Sequence, residues 1–433
     1  MVNIGSCSVV MLDGATKGIP AETAPFLIGE IGQKGWNLLA EDLPLPLAVL
    51  RQDDIAHNSR WMRDFLHASG AQIAPHGKTT MSPDLFNLQI EDGAWGITLA
   101  TVQQVKVARK YGHRRILLAN QLVGRAAIDG IFGELKADPA FEFFCIADSV
   151  ANVRALARAA AEWHLSRPLR ILVELGYPGG RTGCRTIEEA LRVAQEIAGS
   201  GGRLSLAGVE AFEGLLRGTT ASETRELVEA FLARLLDLAA QCDAAGLYGS
   251  GRPILSAGGS AYYDIVVDKL QRHALNSRYT LLLRSGCYLT HDSGMYRRAF
   301  EQLRTRNPAL AAWSGGLRPA LEIWAYIQSR AEPSKAIANF GKRDASHDDL
   351  PVAIKWFRPG GSMSQPERIP CGHRVIQLND QHCHLEIAAD SPLAVGDMVA
   401  FGISHPCLTF DKWRTLYVVD ENYTVVSAVC TYF

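Results

Sequence analysis

Six short clusters in this chain combine residue types that can carry chemistry. Lys78 stands in the run Ala74-Pro75-His76-Gly77-Lys78-Thr79-Thr80, directly after an apolar segment. A lysine at a strand end, partly desolvated, loses proton affinity and can condense with an aldehyde to form an imine. The ordinary alternative is a solvated surface lysine. Arg181 lies in the glycine-rich stretch 174–183, where a guanidinium can be held over an anionic or phenolate oxygen; the alternative is an irregular turn. Ser256-Ala257-Gly258-Gly259-Ser260 offers small residues with open backbone N–H groups before a helix start, which is an anion nest. In Arg284-Ser285-Gly286-Cys287-Tyr288, the phenol of Tyr288 can donate to the same anion or simply pack. Ser404-His405-Pro406-Cys407 places an imidazole two residues from a thiol. On an extended segment both would share a face, and the pair suits Zn²⁺, with water, substrate or another group completing the shell. A buried His and Cys without metal is the alternative. Gln381-His382-Cys383-His384 is a competing cluster in which His382 and His384 share a face; His384 is read as structural or surface.

The elements that must position these clusters follow from the apolar pattern. Between about residues 45 and 300, eight apolar runs alternate with helix-like stretches: 71–75, 95–100, 115–120, 141–147, 169–175, 206–212, 253–258 and 279–286. Near-continuous apolar strands alternating with helices imply a parallel sheet covered by helices. Eight units of this length predict an α/β fold, a closed (β/α)₈ barrel of TIM type. An open doubly wound sheet is the rival, but no G-x-G-x-x-G opens the first unit. The Ser82-Pro83 pair predicts a helix N-cap and first turn. In a barrel, reactive groups sit at the C-terminal strand ends and in the loops that follow, which is where the first four clusters fall. After about residue 315, short alternating strands at 374–378, 384–387, 398–403, 416–419 and 423–426 predict a second, mostly β domain, with 341–349 as a polar loop. The expected division is a segment 1–44 joining the β domain, a barrel over 45–312, and the β domain over 313–433.

Composition narrows the function classes. The 433 residues carry 44 Lys and Arg against 45 Asp and Glu, a net charge of −1, so there is no basic footprint for nucleic acid. No apolar run approaches the ~20 residues of a membrane span, so no membrane partner is expected. The first 18 residues lack a basic start followed by an apolar core, and the nine cysteines are scattered, Cys7 among them. Both point to a reduced, cytoplasmic protein.

Taken together, the clusters resemble the fold-type III pyridoxal-phosphate enzymes, in particular the D-serine dehydratase and D-threonine aldolase group with its alanine-racemase-like barrel. The resemblance runs from about Leu45 to the C-terminus. It is carried by Pro46–Leu50 with Asn58, by Pro75-His76-x-Lys78-Thr79 with Ser82-Pro83, and by Gly176 through Arg181-Thr182-Gly183. Phe212-Glu213-Gly214, Ser256-x-Gly258-Gly259-Ser260, Arg284–Tyr288 and His405-x-Cys407, with Gly396-Asp397 before and Thr409 after, follow in the family's order. Glu174 stands where many relatives carry Asp, and Gly77 where Ala is common.

The resemblance implies that Lys78 holds pyridoxal phosphate and acts as the catalytic base. It implies that His76 and Arg181 contact the cofactor, and that Ser256, Gly258, Gly259, Ser260 and Tyr288 surround its phosphate. His405 and Cys407 would bind a divalent metal, Zn²⁺ before Mn²⁺ or Mg²⁺. His382 would act in catalysis from the partner subunit of a homodimer with shared active sites. The implied activity is a lyase on D-β-hydroxy amino acids, D-serine-dehydratase-like, giving a 2-keto acid and ammonia. Aldol cleavage to glycine and an aldehyde is the alternative; an amino-acid racemase and a non-catalytic cofactor carrier are further ones. His-x-Cys resembles the dehydratases, since aldolase relatives more often show His-x-Asp.

Overall fold

The computed structural model describes residues 4, 9–271, 278–307, 310, 313 and 315–433; Cys7 lies outside them. The chain opens with an antiparallel pair, β1 (Met11–Leu12) and β2 (Phe26–Leu27), and a longer strand, β3 (Leu47–Arg51). Eight strands then alternate with helices: β4 (Gln72–Ile73), β5 (Ile97–Leu99), β6 (Arg115–Gln121), β7 (Glu142–Ala147), β8 (Leu169–Leu175), β9 (Leu204–Ala211), β10 (Ile254–Ser256) and β11 (Thr280–Leu283). All eight expected strands are present. They form one parallel sheet in the order β4-β11-β10-β9-β8-β7-β6-β5. His76, just past β4, bridges Thr98 in β5, and the N–H groups of Trp95 and Thr98 donate to the carbonyls of Ile73 and Pro75 at 2.8 and 3.0 Å. These contacts join the two ends of the order and close the ring.

The strands read as apolar runs because both of their faces are buried. Ala74, Leu117, Phe144, Ile146, Leu172, Ile254 and Leu282, from six strands or strand ends, form one cluster that fills the ring. The helices Val102–Lys110, Val150–Glu162, Ile187–Ala198 and Ala221–Ala244 each start behind a capping hydroxyl, of Thr101, Ser149, Thr186 and Thr220 respectively. The helix Pro83–Glu91 departs from expectation. Pro83 takes the first position, but the Ser82 hydroxyl makes no cap bond, because its oxygen is buried without a partner.

After the barrel strands come β12 (Leu321–Glu332), β13 (Lys335–Ala338), β14 (Val352–Phe357), β15 (Glu367–Arg368), β16 (Arg374–Leu378), β17 (Cys383–Glu386), β18 (Met398–Gly402), β19 (Thr415–Val419) and β20 (Val425–Cys430). Their order is β15-β14-β18-β12-β13-β17-β16, with β3 antiparallel to β12 and parallel to β19, and β20 on β19. The chain divides into two compact units. One comprises 1–62, 79–92 and 287–433; the other comprises 63–78 and 93–286. This differs from a barrel beginning at residue 45. The run 47–51 is apolar like a barrel strand, yet its hydrogen bonds go to β12 and β19. In the first unit Leu12, Ile19, Phe26, Ile31 and Leu38 share a core with Trp324, Phe357, Tyr417 and Tyr423.

Among the described residues no helix is long and apolar enough to cross a membrane.

Burial in the barrel unit lowers His113 from 6.5 to about 4. An imidazole disfavoured as a cation in the native state and free to charge when unfolded costs stability as pH falls. The loss begins near pH 6.5 and saturates below about pH 4, and is on the order of 3 kcal/mol. Urea midpoints of wild type and His113→Gln across this range should diverge, the variant showing the flatter profile.

Candidate active site

Within the barrel unit, the strand ends gather an unusual number of charges. Lys78 lies on the single turn of 3₁₀-helix Gly77–Thr79 that follows β4, and it is exposed. Two residues earlier, His76 is held well below the usual imidazole range by burial, then by the cations of Lys78, Arg284 and Arg181. Three cations thus converge on one neutral ring, whose Nδ1 is buried without a hydrogen-bond partner. Arg181 lies over the Phe212 ring at 5.3 Å. Its loop is tied by Arg185, which donates to the carbonyls of Gly180, Thr182 and Gly183 at 2.8, 2.7 and 2.9 Å. At the end of β8 the buried Glu174 accepts from Gln121 at 2.6 Å and from Thr182 at 2.7 Å. At the end of β9, Glu210 pairs with Arg284 at 2.5 Å; burial pushes its carboxyl up to about 8 against the pull of that guanidinium.

The glycine pair departs from its expected role. Gly258 has φ +95°, and a Cβ there would come within 2.6 Å of Leu283. Its conformation turns two consecutive N–H groups the same way, as a nest requires. Both are taken by one carboxylate: Gly258 donates to Glu213 Oε2 at 3.1 Å and Gly259 to Oε1 at 2.8 Å. Ser256 also differs, since its hydroxyl donates to the Leu282 carbonyl at 3.0 Å within the sheet and holds β10 to β11. Ser260 is half-buried just before the helix Tyr263–Gln271. Tyr288 belongs to the other unit and is buried there.

That other unit holds the second constellation. His405 and Cys407 are not on a strand. β18 ends at Gly402, His405 has φ +58°, and Cys407 opens a short helix, Cys407–Phe410. The tight loop, rather than strand alternation, brings the two side chains together. Hydrogen bonding to Cys407 and to Asp348 raises His405 to about 9, against burial. Its Nδ1 meets Asp348 Oδ2 at 2.7 Å, and its backbone N–H donates to Asp292 at 2.8 Å. Asp292 in turn accepts from the N–H groups of Gly294, Tyr296 and Arg297. Cys407 is held well below the usual thiol range by its bond with Cys287 and by His405, while the Cys287 thiol is pushed up. The two sulfurs are 3.9 Å apart, with Thr79 Oγ1 at 3.5 Å from Cys407 and 3.7 Å from Cys287.

The rival cluster does not assemble. His382 is exposed, Gln381 donates to Asp344 at 2.8 Å, and the His384 ring is bonded to Asn379 at 2.6 Å. Among the described residues no three His, Cys, Asp or Glu side chains form a ready metal shell. Sequence reasoning missed Glu213 as the occupant of the nest, quoted Cys287 within a motif without giving it a role, and missed Asp348 and Asp292 altogether.

Residues 320–419 match the family model described as "Putative serine dehydratase domain". The chain is 26% identical over 309 residues to 3-hydroxy-D-aspartate aldolase of Paracoccus denitrificans (strain Pd 1222), covering 71% of this chain and 74% of that one. Its fold is similar to the crystal structure of D-threonine aldolase from Filomicrobium marinum, with a TM-score of 0.72, 21% identity, and 92% and 97% of the two chains covered. It is also similar to D-threo-3-hydroxyaspartate dehydratase from Delftia sp. HT23, with a TM-score of 0.70, 20% identity, and 92% and 99% covered. Structures of that dehydratase include a histidine variant and a variant of a cysteine two positions on, the latter in a metal-free form. These similarities agree with the resemblance to the fold-type III pyridoxal-phosphate enzymes.

The barrel of a fold-type III enzyme must hold an aldehyde, a phenolate oxygen and a phosphate. The residues present fit that load. Lys78 offers the amine, Arg181 and Arg284 supply positive charge around a neutral His76 with an unused Nδ1, and the glycine nest is shaped for an anion, since it already holds one. The donors around Cys407 fit a divalent metal that accepts sulfur. The thiol ionises easily, and Asp348 on Nδ1 would leave Nε2 as the nitrogen available to a metal.

Proposed function

We propose that this chain is a pyridoxal-phosphate- and divalent-metal-dependent lyase for D-β-hydroxy amino acids, releasing a 2-keto acid and ammonia as a D-serine dehydratase does. The observation that carries the proposal is the imidazole–thiolate pair of His405 and Cys407, in a chain whose barrel presents Lys78 beside two arginines. Pyridoxal phosphate, when bound, supplies an electron sink that makes a substrate's Cα proton acidic. A divalent metal supplies a Lewis acid for a departing β-hydroxyl. Lys78 Nζ takes the Cα proton. His76, kept neutral, adds no charge beside that amine, and Arg181 orients the phenolate oxygen. His405 and Cys407 hold the metal, and Asp348 keeps the imidazole in one tautomer. The dehydratase relative, with its His-x-Cys variants and metal-free form, supports this assignment. Two chains are proposed to pair, with the exposed His382 contributed across their interface.

Aldol cleavage to glycine and an aldehyde is the second reading, favoured by the aldolase activity named for two of the three relatives. Holoenzyme given D-serine, D-threonine and D-threo-3-hydroxyaspartate decides between them. Keto acid with stoichiometric ammonia is expected. Glycine and an aldehyde would replace the dehydratase by the aldolase, and no turnover of any D-β-hydroxy amino acid would sink both.

A further inference from the structure

We propose that Glu213 is an internal competitor for the cofactor's phosphate, and so determines how strongly this enzyme prefers pyridoxal phosphate to unphosphorylated pyridoxal. The inference deepens the cofactor assignment and rests on the barrel mouth being the cofactor site.

Glu213 is fully buried just beyond the end of β9. Each of its carboxylate oxygens accepts from one N–H of the glycine pair, a bidentate arrangement like that of a bound anion. The nest cannot turn aside to offer its N–H groups elsewhere. Ser285 Oγ donates to the carbonyls of Gly258 and Gly259 at 3.2 and 3.1 Å, and the Arg284 N–H donates to the Gly258 carbonyl at 3.1 Å, so the loop is clamped from its other side. Phe212 closes it further, with its ring 3.0 Å from where a Cβ on Gly259 would stand.

A phosphate seeking the same two N–H groups meets a carboxylate on them, and two anions cannot share a buried pair of donors. Loading the phosphate therefore requires Glu213 to leave. Burial pushes Glu210 up to about 8 at the neighbouring strand end, so that end is a poor refuge for a charged carboxylate. Arg181 and Arg284 are the cations of the same mouth toward which the displaced carboxylate can turn. The phosphate thus contributes less to binding here than an open nest would allow, and the aldehyde–Lys78 bond carries the rest.

The test titrates apoenzyme with pyridoxal phosphate and with pyridoxal, following absorbance, in wild type, Glu213→Gln and Glu213→Asp. The Gln variant keeps the shape and one acceptor but removes the charge. The expected result is that Glu213→Gln raises the preference for pyridoxal phosphate over pyridoxal by about tenfold, with pyridoxal binding unchanged. Glu213→Asp, which keeps the charge, should stay near wild type. An unchanged or reduced preference in Glu213→Gln overturns the proposal and makes Glu213 a brace for the nest. Glu213→Ser, which empties the nest, replaces the Gln variant if that one does not fold. A different failure, borohydride treatment leaving residue 78 unlabelled in wild type, would count against the cofactor site itself.

Discussion

Lys78→Ala will give a folded protein that has lost both its yellow colour and its turnover. Lys78 is exposed on a single 3₁₀ turn, so removing its side chain buries nothing and opens no cavity; the stability change should stay within about 0.5 kcal/mol. The chemical loss is large because, in the proposed reaction, one nitrogen serves twice, tethering the cofactor aldehyde and taking the substrate proton. We expect turnover to fall by more than about 10³-fold. Lys78→Arg separates charge from chemistry. It keeps a cation beside His76 but provides no nucleophile, and it should be as inactive as the alanine variant. Visible absorbance, and mass spectrometry of the peptide after borohydride reduction, read the tether directly. Wild-type turnover in Lys78→Ala would end the assignment.

Stripping the divalent metal will stop product release while leaving the colour in place. The proposed metal holders, His405 and Cys407, are not the proposed cofactor tether, Lys78, so chelation should spare the colour. A Lewis acid at a departing hydroxyl supplies several kcal/mol, so exhaustive chelation should lower the rate on the order of 10³-fold, and added Zn²⁺, Mn²⁺ or Mg²⁺ should restore it to different extents. Cys407→Ser should do the same permanently, with metal content measured by atomic absorption. Asp348→Asn removes only the carboxylate behind the imidazole and should weaken metal affinity by roughly 10- to 100-fold. A chelated, metal-free sample that retains its full rate would remove the metal from the reaction.

The barrel was legible because its strands are buried on both faces, which makes them apolar without interruption; β8, LRILVEL, is the clearest case. Helix starts were legible wherever a hydroxyl caps them, as at Thr186, and misleading at Ser82, whose hydroxyl faces the interior. β12 escaped notice because its first half is wholly buried and its second half polar, so it shows no alternation to detect. In the site, local motifs pointed to Lys78, the Arg181 loop and the glycine pair. What the local pattern could not reveal were contacts between distant segments. Glu213 reaches a nest 45 residues away, and Asp348 reaches an imidazole 57 residues away. His405 and Cys407 were paired for the wrong reason: a left-handed residue in a tight loop aligns them, and such a loop leaves no periodic trace.

The placement of β3 bears on how the protein is made. This strand emerges from the ribosome early, yet its hydrogen-bond partners are residues 321–324 and 417–419. At ordinary elongation rates of ~5–20 residues per second, the apolar run Leu-Ala-Val-Leu waits tens of seconds for the first of them. The barrel unit, complete at residue 286, can close in the meantime. An unsatisfied strand of this kind on a nascent polypeptide is a natural client for a chaperone, and yield in a recombinant host should depend more on chaperone supply than on the thermodynamics of the finished enzyme.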